Sequence, residues 1–467
     1  MTVPTCLRWL AAALAVALFV PLPARAQSNV PSPVVTGPIP ENAAPGDPSR
    51  DYIFFSREGI EALGYIEEEF FFEGSANVYS TPALTTATVV SSNNPYKTRM
   101  VVRRPRNAGD FNGTVIVEWQ NVSAGFDIDA SWAGGQEAFF LREGYAWVGV
   151  SAQRVGVQQA GTGLRDFSPV RYGSLDVTAG GTIVNDALSF DIFSQAGQAI
   201  MNPQGVRPLG DLQPVRIIAS GASQSAGRLN TYYNSIQPLA NLYDGFILLV
   251  SGGTLRTDLG VPVFRLLSET EVSTAVAIGQ QVQADSNVLR VWQVAGAAHA
   301  DRTFLDATAV NAARDGVPTT DPTTCGMPAG SQVRFAHVVN QAHNWLTLWI
   351  ATGSPPPSAP PIEIVGAAPP RRIARNALGL ALGGIRIADI EVPVALNTGV
   401  NTGPAFCRLF GTHIDFDAAT RRQLYPSRRA YVEQVTITAI NNFFAGFIGV
   451  ADALQTVLDA FVEDLGP

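Results

Sequence analysis

Residues 215–228 read VRIIASGASQSAGR. An apolar, β-branched run stops at a glycine and gives way at once to a helix-forming tract. That junction is the local mark of a parallel sheet whose strands alternate with helices. Three serines crowd it: Ser220, Ser223 and Ser225. A nucleophile elbow holds its serine in a tight turn, with small residues two places before and two after, because strand and helix backbones nearly touch there. Ser220 has Ile218 two places before it and lies inside the strand. Ser223 is flanked by Gly221 and Ser225. Ser225 also passes the spacing, with Ser223 and Gly227, but it sits deeper in the helix. Ser223 fits best, in a GxSxS variant of the turn.

Working outward, similar apolar runs recur at 64–79, 96–104, 113–121 and 145–153, and after the junction at 243–253, 261–269 and 289–299. With 215–220 they make eight strand candidates separated by helical stretches. This predicts a mostly parallel eight-stranded sheet flanked by helices, an α/β fold. Residues 27–50, rich in Pro, Asn, Gly and Ser, read as a loosely ordered lead-in, and 51–353 as the core. Within it, 154–184 is a glycine-rich, polar insertion; it and 301–330 are candidate lids or surface insertions. An amphipathic helix over 334–353 ends at SPPPSAPP. The remainder, 354–467, reads as a largely helical extension packed on the core.

The chain opens MTVPTCLRWLAAALAVALFVPLPARAQ, an arginine, a short apolar run and Ala24-Arg25-Ala26. This is the pattern of a cleavable secretory signal over 1–26, so a secreted or periplasmic protein is expected. No later run approaches the roughly 20 apolar residues of a stable membrane span. Losing Arg8 and Arg25 takes the formal charge from −8 to −10, which disfavours nucleic acid and anionic lipid as partners. Cys6 goes with the signal, leaving Cys325 and Cys407, an even pair expected to form a disulfide in an oxidising compartment.

A serine nucleophile needs an acid and a histidine after it in the chain, each at the C-terminal end of a strand. Of four histidines, His299 follows the last strand candidate in VWQVAGAAHAD. His337 and His343, six apart on one helix, do not share a face, and His413 sits in GTHIDFD with Asp415 and Asp417, where capping explains the carboxylates better than ligation. No metal or cofactor site is expected. The acid falls in VPVFRLLSETEV, where spacing favours Glu271 and leaves Glu269 as a rival. Oxyanion donors are expected from the N–H of Gln224, directly after the nucleophile, and from Asn121 or Val122 in the loop WQNVSAGFD.

The segments VEWQNVSAG, GYAWVGVSAQ, RYGSL, GASQSAGRL, SETEV, VAGAAHAD and LYPSRRAYV together resemble the secreted bacterial alpha/beta-hydrolase-domain proteins with a GxSQS elbow. The resemblance implies an α/β-hydrolase fold with Ser223 as nucleophile and His299 as base. The chain departs from that family in reading SETE where SETD is common. The function expected is hydrolysis of small-molecule or polymeric carboxylic esters through an acyl-enzyme. A lactonase, amidase or acyltransferase with the same triad is an alternative, as is a non-catalytic binding protein on the same scaffold.

Overall fold

In the computed structural model, residues 28–40 and 59–463 are described. The signal segment expected at 1–26 lies outside them. Ten strands form one sheet: β1 (Val34–Thr36), β2 (Tyr65–Ser80), β3 (Thr88–Pro105), β4 (Thr114–Trp119), β5 (Ala146–Val150), β6 (Gln204–Gly205), β7 (Arg216–Ala222), β8 (Gly245–Leu249), β9 (Val263–Ser268) and β10 (Leu289–Val294). Their order is β10-β9-β8-β7-β4-β5-β3-β2-β1-β6. From β5 to β10 every pairing is parallel, while the long β2–β3 hairpin adds antiparallel strands.

The parallel strands β4, β5, β8, β9 and β10 are buried along their whole length and β7 from Ile217 onward, as expected of a sheet covered on both faces. All eight anticipated strands are present. The two additions, β1 and β6, are short strands that continue the sheet beyond β2, with β6 at its edge. Val34–Thr36 lies in the stretch expected to be loose, but Val35 is buried against the sheet and pairs with Phe72.

The chain order decides where a ligand can sit. After β4 the chain moves outward to β5, then returns to place β7 on the other side of β4. The loops leaving β4 and β7 therefore diverge, and the crevice between them, at the strands' C-terminal ends, is the switch point where open α/β sheets bind ligands.

Two layers of buried charge tie the β4 loop down. Arg103 lies between the rings of Trp132 and Trp147, at 4.4 and 4.5 Å from their centroids. It donates to Glu67 of β2 at 2.6 Å and to Asp129, beyond the β4 loop, at 2.7 Å. Arg99 repeats the pattern between Glu69, at 3.2 Å, and Asp127, at 3.4 Å. Burial pushes Asp129 up to about 6, against the pull of Arg103. Removing one member strands the others: Arg103→Met is expected to cost about 3–5 kcal/mol in denaturant melts. Replacing Glu67, Arg103 and Asp129 together by apolar residues is expected to recover most of that loss.

The insertion at 154–184 folds into short helices, Arg154–Gln158, Leu164–Phe167 and Pro169–Tyr172. Tyr172 is buried on Glu69. The extension 354–467 contains two small ribbons besides its helices: Ile364–Val365 with Arg372–Ile373, and Ala395–Thr398 with Thr412–Asp415. Ile385 covers the open edge of β10, exchanging backbone bonds with Gln293 and Ala295, which removes unpaired backbone from a sheet edge. Cys325 and Cys407 form a disulfide joining the 301–330 region to this extension.

His343, on the helix Phe335–Thr352, is fully buried against Phe139, Phe140 and Tyr145, and neither ring nitrogen has a hydrogen-bond partner among the described residues. Burial alone lowers its pKa from 6.5 to about 3. The unfolded chain takes up this proton below 6.5 and the folded chain does not, so stability is complete above 6.5 and drains as pH falls toward 3. His343→Leu is expected to remove this loss. In melts, its stability relative to the wild type should rise by about 2 kcal/mol between pH 7.5 and pH 5.

Candidate active site

β7 ends against backbone. A side chain at Gly221 would come within 3.0 Å of Leu229 and 3.1 Å of the Ala226 nitrogen, so glycine lets strand and helix approach closely at this turn. Ser223 then turns the chain with φ 58° and ψ −118° and begins the helix Gln224–Thr231. A non-glycine residue held there costs about 1–3 kcal/mol. Its neighbours fix the turn. Ser223 N–H donates to Leu249 O at 2.9 Å, and the buried Ser225 hydroxyl accepts from Ala222 N–H at 3.0 Å and donates to Ala222 O at 2.9 Å. Ser225 is thus more than a small residue; its hydroxyl clasps the end of the strand. Ser220 is buried within β7.

The acidic pair separates into two roles. Ser268 caps the helix Glu269–Ala277 in a capping box: its hydroxyl accepts from Thr270 N–H, and the Glu271 carboxylate reaches back to Ser268. Glu271 Oε2 accepts from Ser268 N–H at 3.0 Å and from its hydroxyl at 2.6 Å. That leaves Oε1 for His299 Nδ1, at 2.6 Å. Thr270 holds the same histidine by its backbone, accepting from His299 N–H at 3.1 Å. Glu269 faces elsewhere. Fully buried, it accepts from Arg375 at 2.5 Å and from Gly296 N–H at 2.8 Å, so it fixes the turn after β10 and the extension. The carboxylate on the imidazole is Glu271.

An ionised carboxylate at Nδ1 keeps the ring proton on Nδ1 and leaves the Nε2 lone pair to accept a proton. Ser223 and His299 line one cavity of about 560 Å³, at the switch point between β4 and β7.

Of the expected oxyanion donors, the N–H of Gln224 is the first of its helix and meets no protein acceptor among the described residues. The N–H of Val122 is likewise unengaged among them. Asn121 differs from its expected role. Its N–H is spent on Ile128 O at 3.0 Å, and its side-chain amide donates to Ala222 O at 2.9 Å. It braces the β4 loop against the end of β7 and has no backbone donor to spare.

The cavity's cover comes from 301–330, with Phe304, Leu305 and Thr319, and from the extension, with Phe406 and Leu409. The insertion 154–184 contributes no lining residue and buttresses the loop instead, where Thr162 donates to Gly125 O at 2.6 Å. No group of three metal-ligating side chains occurs among the described residues. His413 meets Asn397 Oδ1 at 2.9 Å and Asp415 at 3.6 Å, while Asp417 caps the helix Ala418–Leu424.

Residues 35–457 match the family described as the alpha/beta hydrolase domain. No curated protein matches the sequence. Among solved structures, the chain is similar to esterase Est22, with 12% identity over 55% of this chain and 83% of that one, at a TM-score of 0.31. It is also similar to a cold-adapted esterase from an Arctic intertidal metagenomic library, at 14% identity, 54% and 95% coverage and a TM-score of 0.26. A prolyl endopeptidase structure shares 10% identity over 54% of this chain and 45% of its own, at a TM-score of 0.27. The family match spans most of the chain and the parallel sheet with it: the chain belongs to the alpha/beta hydrolase domain family.

Proposed function

We propose that the protein is a serine esterase that cleaves carboxylic esters through an acyl-enzyme, with Ser223 as nucleophile, His299 as base and Glu271 as the acid that orients it. The observation that carries this is the strained Ser223 turn opening into one cavity with an imidazole whose Nδ1 is held by a carboxylate. Nε2 of His299 takes the Ser223 proton as Oγ attacks the ester carbonyl. The N–H groups of Gln224 and Val122 receive the oxyanion, and the proton passes to the leaving alcohol; water then repeats the cycle on the acyl group.

The reading extends to an extracytoplasmic enzyme. The Cys325–Cys407 disulfide supports it, and no described helix is long and apolar enough to cross a membrane. The test is covalent labelling by a fluorophosphonate, alongside hydrolysis of p-nitrophenyl esters. Labelling of the wild type and not of Ser223→Ala is expected. A wild type that takes no label, or a variant labelled equally, overturns the assignment.

A further inference from the structure

The cavity's two sides are chemically assigned by the reaction. In ester cleavage the leaving oxygen must receive its proton from His299, so the alcohol half of the ester lies on the His299 side and the acyl half toward the β4 loop. The backbone next to His299 is bound directly to the extension: Ala300 N–H donates to Leu409 O at 3.0 Å, and Ser331 N–H to Phe410 O at 3.0 Å. The disulfide at Cys407 clips the same short helix, Cys407–Phe410, to Cys325. A rigidly held apolar segment thus stands beside the imidazole. Phe406 and Leu409 line the cavity from it, and Phe406 remains 36% exposed, which leaves apolar surface open to a ligand in the cavity.

Charge narrows the ligand further. Arg302 is the one arginine or lysine among the described lining residues, and it is paired with Asp306 at 3.0 Å. Asp301 is committed to the start of its own helix, accepting from Phe304 N–H at 3.0 Å. Asp306 offsets the single positive charge of Arg302, so the lining on this side carries no net positive charge to attract a carboxylate or phosphate on the substrate.

We propose that the protein selects its substrates by the alcohol half of the ester, and that this half is an uncharged, apolar alcohol larger than ethanol, packed against Phe406 and Leu409. The inference rests on the esterase reading of the same site. Each methylene buried there is worth about fourfold in kcat/KM, so two added carbons give about fifteenfold.

The experiment uses two matched series on the wild type: acetates of methanol, butanol and hexanol, and methyl esters of acetic, butyric and hexanoic acids. The expected result is a steep rise of kcat/KM along the alcohol series and a shallower one along the acyl series. In Phe406→Ala and Leu409→Ala the hexyl-to-methyl ratio is expected to fall about tenfold, with a thermal melt confirming that each variant is folded. A flat alcohol series, a steeper acyl series, or an unchanged ratio in both folded variants overturns the inference. A wild type that neither hydrolyses any ester nor takes a fluorophosphonate label overturns the esterase reading itself, which separates the two failures.

Discussion

Ser223→Ala is expected to lower kcat toward a p-nitrophenyl ester by about 10⁶-fold, the scale seen when the serine of such a unit is removed. The structure makes this a clean experiment. The Ser223 hydroxyl holds no hydrogen bond among the described residues, so its loss breaks no contact of the folded state. The melting temperature should therefore scarcely move. The strain of the turn belongs to the backbone, at φ 58°, and alanine inherits it. Glycine does not, since it adopts positive φ readily. Ser223→Gly should be equally inactive and more stable than Ser223→Ala. If Ser223→Ala keeps more than a hundredth of the activity, the nucleophile lies elsewhere.

The second large effect separates the two glutamates. Glu271→Gln is expected to reduce kcat by about 10³- to 10⁴-fold with little change in KM, because an amide no longer enforces the tautomer with the proton on Nδ1. Glu269→Gln should act on stability instead. It weakens a buried bond to Arg375 and another to Gly296 N–H, a loss of about 1–3 kcal/mol. Steady-state kinetics and denaturant melts on both variants decide the matter. A kcat collapse in Glu269→Gln with Glu271→Gln near wild type would reverse the roles.

How much of this was legible in the sequence follows from range. The eight long strands declared themselves through local apolar runs. β1 and β6 did not, because three and two residues carry no periodicity and exist only through pairing with distant chain. Ser223 stood out because its constraint is local: glycine before, small residue after. The choice of Glu271 was also written locally, as the capping pattern Ser268-Glu269-Thr270-Glu271, which sends the last carboxylate back to the helix start. Counting from the strand favoured the same residue without that reason. The role of Glu269 was hidden, since Arg375 lies 106 residues away. So was the loss of Asn121 as a donor, which depends on how a loop folds back on Ile128. The cavity wall at Phe406 and Leu409 came from a region that read only as a helical extension.

The buried charge layers impose a rule on how this chain can change over time. Glu67, Arg103 and Asp129 come from separate parts of the sequence, yet in the interior each charge is compensated by the others. A single replacement meets a barrier that a concerted replacement avoids. The three positions therefore form one heritable unit, and Glu69, Arg99 and Asp127, with Arg171 paired on Glu69, form another. Related chains are expected to keep each set whole or exchange it whole. The loop that braces Ser223 inherits that rigidity of lineage as well as of structure.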